Sequence, residues 1–511
     1  MLSRIYSHSI LGIDAYQVEI EVDLAAGMPY FNIVGLPDTA IKESRDRIKS
    51  AIKNSNLQFP TKKITMNLAP ADVEKKGSSL DLPMAIGILA ASGQINTTTV
   101  KEYSIVGELG LDGLLRRING ALPMAVGAKT SGKKGLILPK DNANEAAVVE
   151  GIEVIPVESL RQAVDFLNGG EIIKPHIIDI DKVFRQSRKY SDDFRDVKGQ
   201  DHVKRALEVA AAGGHNVIMI GPPGSGKTML AKRTSSILPD MTLLESIETT
   251  KIHSIAGLTQ PTTSLIATRP FRYPHHTISD IALIGGGAYP RPGEVSLAHN
   301  GVLFLDEMLE FKRSVLEVMR QPLEDGIVNI SRASMSLTFP ARFLLIGAMN
   351  PCPCGNLTDP AKVCSCTPIQ IQRYMSRVSS PLLDRIDLHI DVPAVKISEL
   401  SKKESGDSSA EIRKRVNTAR KVQLDRFKNH PHLFCNAHMS PKEIKTFCQI
   451  DTESTRTLES AIEKLGLSAR AYDRILKVSR TIADIEGASN IHVHHLSEAI
   501  HYRNLDRNLW K

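Results

Sequence analysis

Short apolar runs bounded by glycine and polar residues recur along the first three quarters of the chain, and helical spacing takes over after them. Tyr16 to Val22 alternates apolar and polar positions and Met28 to Val34 resembles it, so two strands are predicted there. Thr39 to Lys53 places Ile41, Ile48 and Ile52 on one face of a helix. Ile64 to Leu68 reads as another strand, and Leu80 to Ala91 as a buried helix after a turn at Gly77. Glu171 to Arg195 mixes Pro175, isolated apolar residues and many charges, which marks a linker. Beyond it, Val203, Leu207 and Ala210 share a helix face, and three apolar runs follow: Val217 to Ile220, Val302 to Leu305 and Phe343 to Met349. Uninterrupted runs of this length are buried strands of a parallel α/β sheet. Residues 326–339 read as a hairpin with Arg332 near its tip. From 395 the strand pattern disappears. A polar stretch, Ser401 to Ser409, precedes a basic helix over Ala410 to Asn429, and Ser468 opens a helix through Ile475, Val478 and Ile482. The expected organisation is therefore an α+β domain over 1–170, a linker over 171–195, an α/β core over 196–394 and a helical domain over 395–511.

The chemistry sits where the core strands end. Gly221-Pro222-Pro223-Gly224-Ser225-Gly226-Lys227-Thr228 follows the first of the three runs and opens a helix. That is the context of a phosphate-binding loop, in which glycines let backbone N–H groups converge on a phosphate and the helix N-terminus adds positive potential. Lys227 would reach the β- and γ-phosphates of ATP, and the Thr228 hydroxyl would hold Mg²⁺. About eighty residues on, Gly301 to Glu307 ends in two acids at the carboxyl end of a strand, where α/β sheets place their ligands. Asp306 would meet Mg²⁺ through its water shell, and Glu307 would polarise the attacking water. Asn350 closes the third run. Its amide can bond the attacking water or the γ-phosphate, or simply begin the turn into Pro351.

Net charge is +7, which permits a nucleic-acid partner without requiring one. In 251–299, clustered Arg, aromatic, His and Gly residues either approach a nucleic-acid backbone, with Arg269, Arg272 and Arg291 neutralising phosphates, or form a packed loop. His275 and His276 lack a metal-ligand pattern, and His492, His494 and His495 read as the start of the final helix. The first residues lack the apolar core of a signal peptide and no run approaches membrane-spanning length, so a cytoplasmic protein with no membrane partner is expected. Four of the six cysteines fall within fifteen residues. Cys352 with Cys354 and Cys364 with Cys366 form two Cys-x-Cys pairs, able to surround one structural Zn²⁺. Free thiols or a disulfide pair are the alternatives. Cys435 and Cys448 stand apart.

Several stretches resemble known families. GSSLDLPMAIGILAASG, IVGELGLDGLLRRINGALPMAVGAK and GLILPKDN resemble, in that order, the proteolytic domain of Lon-type proteases, which implies a ribosomal-S5-like α+β fold. Ser79 lies near the place of that family's nucleophile, but Leu122 stands where its lysine base belongs, so an inactive protease fold used for assembly or DNA binding is implied. The segment around Asp196 to Gln200 resembles the start of an AAA+ ATPase module, and the core is then its P-loop sheet with a helical lid after it. Pro381 to Asp387 resembles the segment carrying the arginine finger, which would send Arg385 onto a neighbour's γ-phosphate. Arg470 matches the second sensor of AAA+ lids, where it would touch nucleotide phosphates. The ordered set, with GVLFLDE, NPCPCGN, CSC, LLDRIDLH and LSARAYDRILKVSRTIAD, is similar to the YifB/ComM family of magnesium-chelatase-like AAA+ proteins across essentially the whole chain. The resemblance implies a hexameric, ATP-driven DNA motor, a homo-oligomer acting on single-stranded or branched DNA in branch migration during recombination and natural transformation. Its rival is a chelatase-type ATPase that remodels a protein partner.

Overall fold

The computed structural model describes residues 2–505 apart from 188, 189, 191, 288, 289, 333, 334, 360, 361, 395–405, 431, 432 and 504. The first eleven residues of the helical region, and with them 401–405 of the expected polar linker, lie outside the described residues. The chain forms two compact units, residues 1–188 with 243–267, and residues 189–242 with 268–511.

The first unit is built on a seven-stranded mixed sheet in the order Tyr30–Val34, Lys63–Ala69, Asp14–Ala25, Leu2–Leu11, Tyr103–Ile105, Gly135–Pro139, Glu153–Val157. The alternating stretch around Tyr16 lies within Asp14–Ala25, with Val18, Ile20 and Val22 fully buried. The helix Thr39–Asn54 starts at Asp38, whose carboxylate accepts the Ile41 N–H at 2.8 Å, and buries Ile41, Ile48 and Ile52 as the spacing predicts. Asp81–Ala91 is buried along its whole length. The strand Leu2–Leu11 was not legible, because its covered positions include Ser7, His8 and Ser9 and so break the apolar alternation. The His8 ring is tolerated there because it is bonded, meeting Ser104 Oγ at 2.8 Å and Ser131 Oγ at 3.3 Å.

Burial pulls the His8 imidazole down to about 4. A histidine depressed in the fold contributes stability that is complete above its unfolded value near 6.5 and is lost as pH falls through the folded value. His8→Asn cannot titrate. The stability difference between parent and variant, measured by urea unfolding, should therefore shift by about 3 kcal/mol against the parent between pH 7 and pH 4.

Residues 243–267 fall in the sequence range of the α/β core yet belong to the first unit. Their anchor is Glu145, which is buried and accepts from Leu122 N at 2.9 Å, from Ser254 Oγ, and from Thr259 Oγ1 at 3.3 Å. Leu122 is fully buried against Val148 and Leu265. The Leu122 side chain is thus a packed hydrocarbon with no atom able to take a proton.

The second unit holds a five-stranded sheet, all parallel, in the order Phe271–Arg272, Val302–Leu305, Leu344–Met349, Val217–Ile220, Leu388–Asp391. Three of these are the apolar runs of the sequence, each buried on both faces. Helices Asp201–Gly213, Ser409–Arg426, Ala469–Glu486 and Val493–His501 share one hydrophobic core with the sheet, through residues such as Leu207, Val416, Ile475, Ile482 and Leu496. The basic helix over 410–429 proves to be a bonded element. Arg415 pairs with Glu208, Arg420 donates to the Ala211 and Ala212 carbonyls, and Arg426 pairs with Asp484. Among the described residues no helix is long and apolar enough to cross a membrane.

Candidate functional site

In the parallel sheet Ile220 is in register with Met349, and Leu305 with Gly347. The residues that follow these strands, the 221–228 loop, Asp306 with Glu307, and Asn350, therefore emerge together at the carboxyl edge. The loop has the shape a phosphate cradle needs. Gly224 and Gly226 adopt φ of +79° and +88°, and a methyl on Gly221 would come within 2.1 Å of the Val392 carbonyl oxygen. Pro222, Pro223 and Ser225 complete the loop, and the helix Lys227–Thr234 begins directly after Gly226.

Lys227 is buried, and its ammonium donates to Gly221 O at 2.7 Å, Pro222 O at 2.9 Å and Asn350 Oδ1 at 3.3 Å. Burial lowers its pKa, with the Asp306 carboxylate opposing. Thr228 Oγ1 donates to Asp306 Oδ2 at 2.7 Å, so a hydroxyl and a carboxylate from separate elements lie side by side, the oxygen donors a hard divalent cation takes. Asp306 Oδ1 accepts the Glu307 N–H at 3.0 Å. Glu307 sits at φ +50°, an uncommon conformation costing about 1 kcal/mol for a residue with a side chain, and its carboxylate stays exposed.

Three neighbours were not legible as site residues. Tyr273 donates to Asp306 Oδ2 at 3.1 Å, and burial followed by the Asp306 charge raises its pKa. His276 Nδ1 lies 3.6 Å from Glu307 Oε2. Gln200 donates to Ser225 O at 2.7 Å and Pro393 O at 3.1 Å, bracing the loop from behind. Gln200 lies 25 residues before Ser225 and Tyr273 33 before Asp306, and single Tyr, His and Gln residues announce nothing until the fold gathers them.

Arg385 and Arg470 are brought together, in a different place. Arg385 donates to Pro381 O at 2.7 Å and pairs with Glu324, while Arg470 lies 3.5 Å from Asp384. Both line a cleft of about 670 Å³ with Arg342, Arg474 and Lys477, and no phosphate-loop residue lines it. Arg474 holds the segment after Arg385 by pairing with Asp387 at 2.7 Å.

Of the arginines expected at a nucleic acid, Arg269 donates to the Pro239 and Asn300 carbonyls and Arg272 is bidentate to Glu294 at 2.6 and 2.7 Å. Both hold the fold together. Arg291 is exposed, in a short hairpin pairing Gly285–Gly286 with Arg291–Pro292. The expected hairpin spans Ile327–Arg332 and Met335–Pro340, with its turn at 333–334 outside the described residues. The two hairpins touch: a methyl on Gly286 would come within 3.3 Å of Arg332 Nη2.

The four clustered cysteines converge. Cys352 Sγ lies 3.4 Å from Cys354 Sγ and 3.7 Å from Cys364 Sγ, the latter two are 3.6 Å apart, and Cys366 Sγ is within 4.8 Å of all three. A zinc ion about 2.3 Å from four sulfurs spaces them about 3.8 Å apart. Disulfide sulfurs would be about 2.05 Å apart. Glu486, His494 and His495 also cluster, but His495 Nδ1 accepts the His492 N–H at 2.9 Å. The neutral ring then carries its proton on Nε2, facing Glu486 at 3.0 Å, which makes a helix cap and not a metal site.

A phosphate loop, an Asp-Glu pair after the next strand but one, and an asparagine after the strand between them, all at one edge of a parallel sheet with a helical region packed against it, define an ATPase of the AAA+ type. Family models agree: "Magnesium chelatase, subunit ChlI" matches residues 193–400, "Subunit ChlI of Mg-chelatase" residues 20–142, and "Magnesium chelatase, subunit ChlI C-terminal" residues 406–503. The chain is 47% identical to the competence protein ComM of Haemophilus influenzae, covering 100% of this chain and 99% of that protein. It is 45% identical to YifB of Escherichia coli over 99% and 98% of the two chains. A shorter likeness, 29% identity over 32% of this chain and 33% of the relative, connects it to Lon protease 2 of Bacillus subtilis. The chain belongs to the YifB/ComM family of magnesium-chelatase-like AAA+ proteins.

Proposed function

We propose that this protein is an ATP-driven DNA motor that works as a ring, six subunits in the family's pattern, and promotes branch migration in recombination and natural transformation. The observation that carries this reading is the division of the nucleotide chemistry within one chain. Lys227, Thr228, Asp306, Glu307 and Asn350 stand at the sheet edge, whereas Arg385 and Arg470 stand together in a cleft that no loop residue lines. Two arginines held beside Glu324 and Asp384 complete a nucleotide site only when a second copy offers its sheet edge. Arg470 in this reading acts on the neighbour's nucleotide, beside Arg385, and not on its own.

The roles follow from position. Lys227 and the loop N–H groups bind the phosphates, and Thr228 with Asp306 would hold Mg²⁺, which would supply charge neutralisation for the phosphates. Glu307, fixed outward by its backbone conformation, takes the proton of the attacking water, and Asn350 orients that water. The neighbour's Arg385 and Arg470 stabilise the charge that develops in transfer. The four cysteines hold one zinc ion.

The paired hairpins supply the DNA contact, with Arg291 and Arg332 as its cations. The name of the H. influenzae relative, a competence protein, supports a DNA partner. Arg291→Ala with Arg332→Ala should weaken binding to single-stranded DNA at least tenfold in a fluorescence anisotropy titration. The double variant should also flatten the salt dependence, because two phosphate contacts are removed. Unchanged affinity would move the contact elsewhere. The chelatase descriptions of the matching family models favour the rival, a remodeller of a protein partner, and that reading expects ATP turnover indifferent to DNA.

A further inference from the structure

The cysteine cluster is continuous with the nucleotide site. Asn350, bonded to Lys227 at 3.3 Å, is two residues before Cys352. After the first Cys-x-Cys pair comes Gly355 at φ +80°, where a methyl would come within 2.5 Å of Pro223 Cδ and 2.7 Å of its Cγ. Pro223 is in the phosphate loop. The turn that carries two of the four sulfurs is therefore pressed directly onto the phosphate cradle, and the residue just after the strand leading into it, Asn350, touches the cradle's lysine.

The turn is itself shaped around sulfur. The Gly355 and Leu357 N–H groups donate to Cys352 Sγ, and those of Asn356 and Ser365 donate to Cys354 Sγ. Backbone donors aimed at sulfur are the second shell that orients thiolate ligands around a metal. The sulfurs are too close together to surround an iron–sulfur cluster, which puts several atoms between its cysteines. One tetrahedral ion fits.

We propose that the zinc ion held by Cys352, Cys354, Cys364 and Cys366 is a clamp on catalysis: it fixes the 350–355 turn against Pro223, so that ATP hydrolysis depends on whether the metal is bound. This rests on the zinc reading of the cysteines. With the ion in place the turn is cross-linked to the 364–366 strand of chain and cannot move off the loop. Without it, four thiols hold the turn only by weak S–H contacts, and Asn350 and Pro223 lose their common support. Metal supply or thiol chemistry at the exposed side of the cluster then becomes a control on the motor, separate from nucleotide and DNA.

The test uses the purified full-length chain. Zinc is measured by elemental analysis, with about one ion per chain expected. The metal is then stripped with a thiol-competing chelator, the chelator is removed, Mg²⁺ is restored, and ATP turnover is followed before and after adding zinc back. Turnover should fall at least tenfold on stripping and return on re-addition, and recovery in the same sample shows that the fold survived. Gly355→Ala supplies an independent arm, since it disturbs the contact with Pro223 while leaving every cysteine. It should retain zinc and lose at least tenfold in kcat, whereas Cys435→Ser, away from the cluster, should retain both. Loss of zinc and turnover together in Gly355→Ala counts as removal by chelator does. A chain that carries no zinc overturns the metal reading and the clamp with it. A chain that carries zinc but keeps full turnover when stripped, or in Gly355→Ala, overturns the clamp and leaves the zinc site standing. Neither result touches the assignment of the ATPase itself.

Discussion

Glu307→Gln should lower steady-state ATP turnover by a factor of at least about 100 while leaving ATP affinity within a few-fold of the parent. The side chain is exposed at the end of a central strand, held outward at φ +50°, with the His276 ring 3.6 Å away. Among the described residues it makes no bond to the phosphate loop, so binding should not need it. An amide preserves size and polarity but cannot accept the proton of the attacking water, so the loss falls on kcat. The check is single-turnover hydrolysis alongside equilibrium binding of a fluorescent ATP analogue. Turnover within threefold of the parent would remove Glu307 from the chemistry and favour a scaffold that does not need hydrolysis.

Arg385→Ala should reduce turnover by about 10³-fold, the scale on which an arginine finger acts. The sharper result concerns mixtures. Lys227→Ala disables the sheet edge of a subunit, and Arg385→Ala disables its cleft. Each homogeneous variant should be nearly inactive. Mixed and allowed to reassemble, they should regain a measurable fraction of parental turnover, because some junctions then join an intact edge to an intact cleft. Arg470→Ala should behave as Arg385→Ala does in the same mixtures, since Asp384 and Glu324 hold the two arginines in one cleft. If Arg470 acted on its own subunit's nucleotide, mixing it with Lys227→Ala would restore nothing. The glutamate partner raises one structural concern: freeing Glu324 exposes a carboxylate that already faces solvent, so the loss should be catalytic and leave thermal stability nearly unchanged.

How far the sequence reached can be seen residue by residue. The 221–228 loop and the Asp306-Glu307 pair were legible because their chemistry is local: glycines at fixed positions, apolar strands before them, acids after. The cysteine cluster was legible for the same reason, two short pairs separated by a loop of workable length. What depends on distant parts of the chain was not. Arg269 and Arg272 look like phosphate ligands in an Arg- and aromatic-rich stretch, yet carbonyls at 239 and 300 and the Glu294 carboxylate claim them. Tyr273 and His276 join the site only because Phe271–Arg272 pairs beside Val302–Leu305. Residues 243–267 leave the core for the first unit because Glu145 and Leu122, more than a hundred residues earlier, bind them there. Arg470 matches a sensor by its place in a helix, but its partner is Asp384, a residue no local pattern selects.

The most direct test of the central claim is ATP turnover by the purified full-length protein with and without a four-way DNA junction, followed in parallel with the conversion of that junction to duplex products. A DNA motor should hydrolyse ATP several-fold faster with the junction present and resolve it only when ATP can be hydrolysed, with Glu307→Gln inactive in both assays. Turnover that is the same with and without DNA, together with a junction left unchanged, would contradict the motor and leave an ATPase whose work is done on a protein.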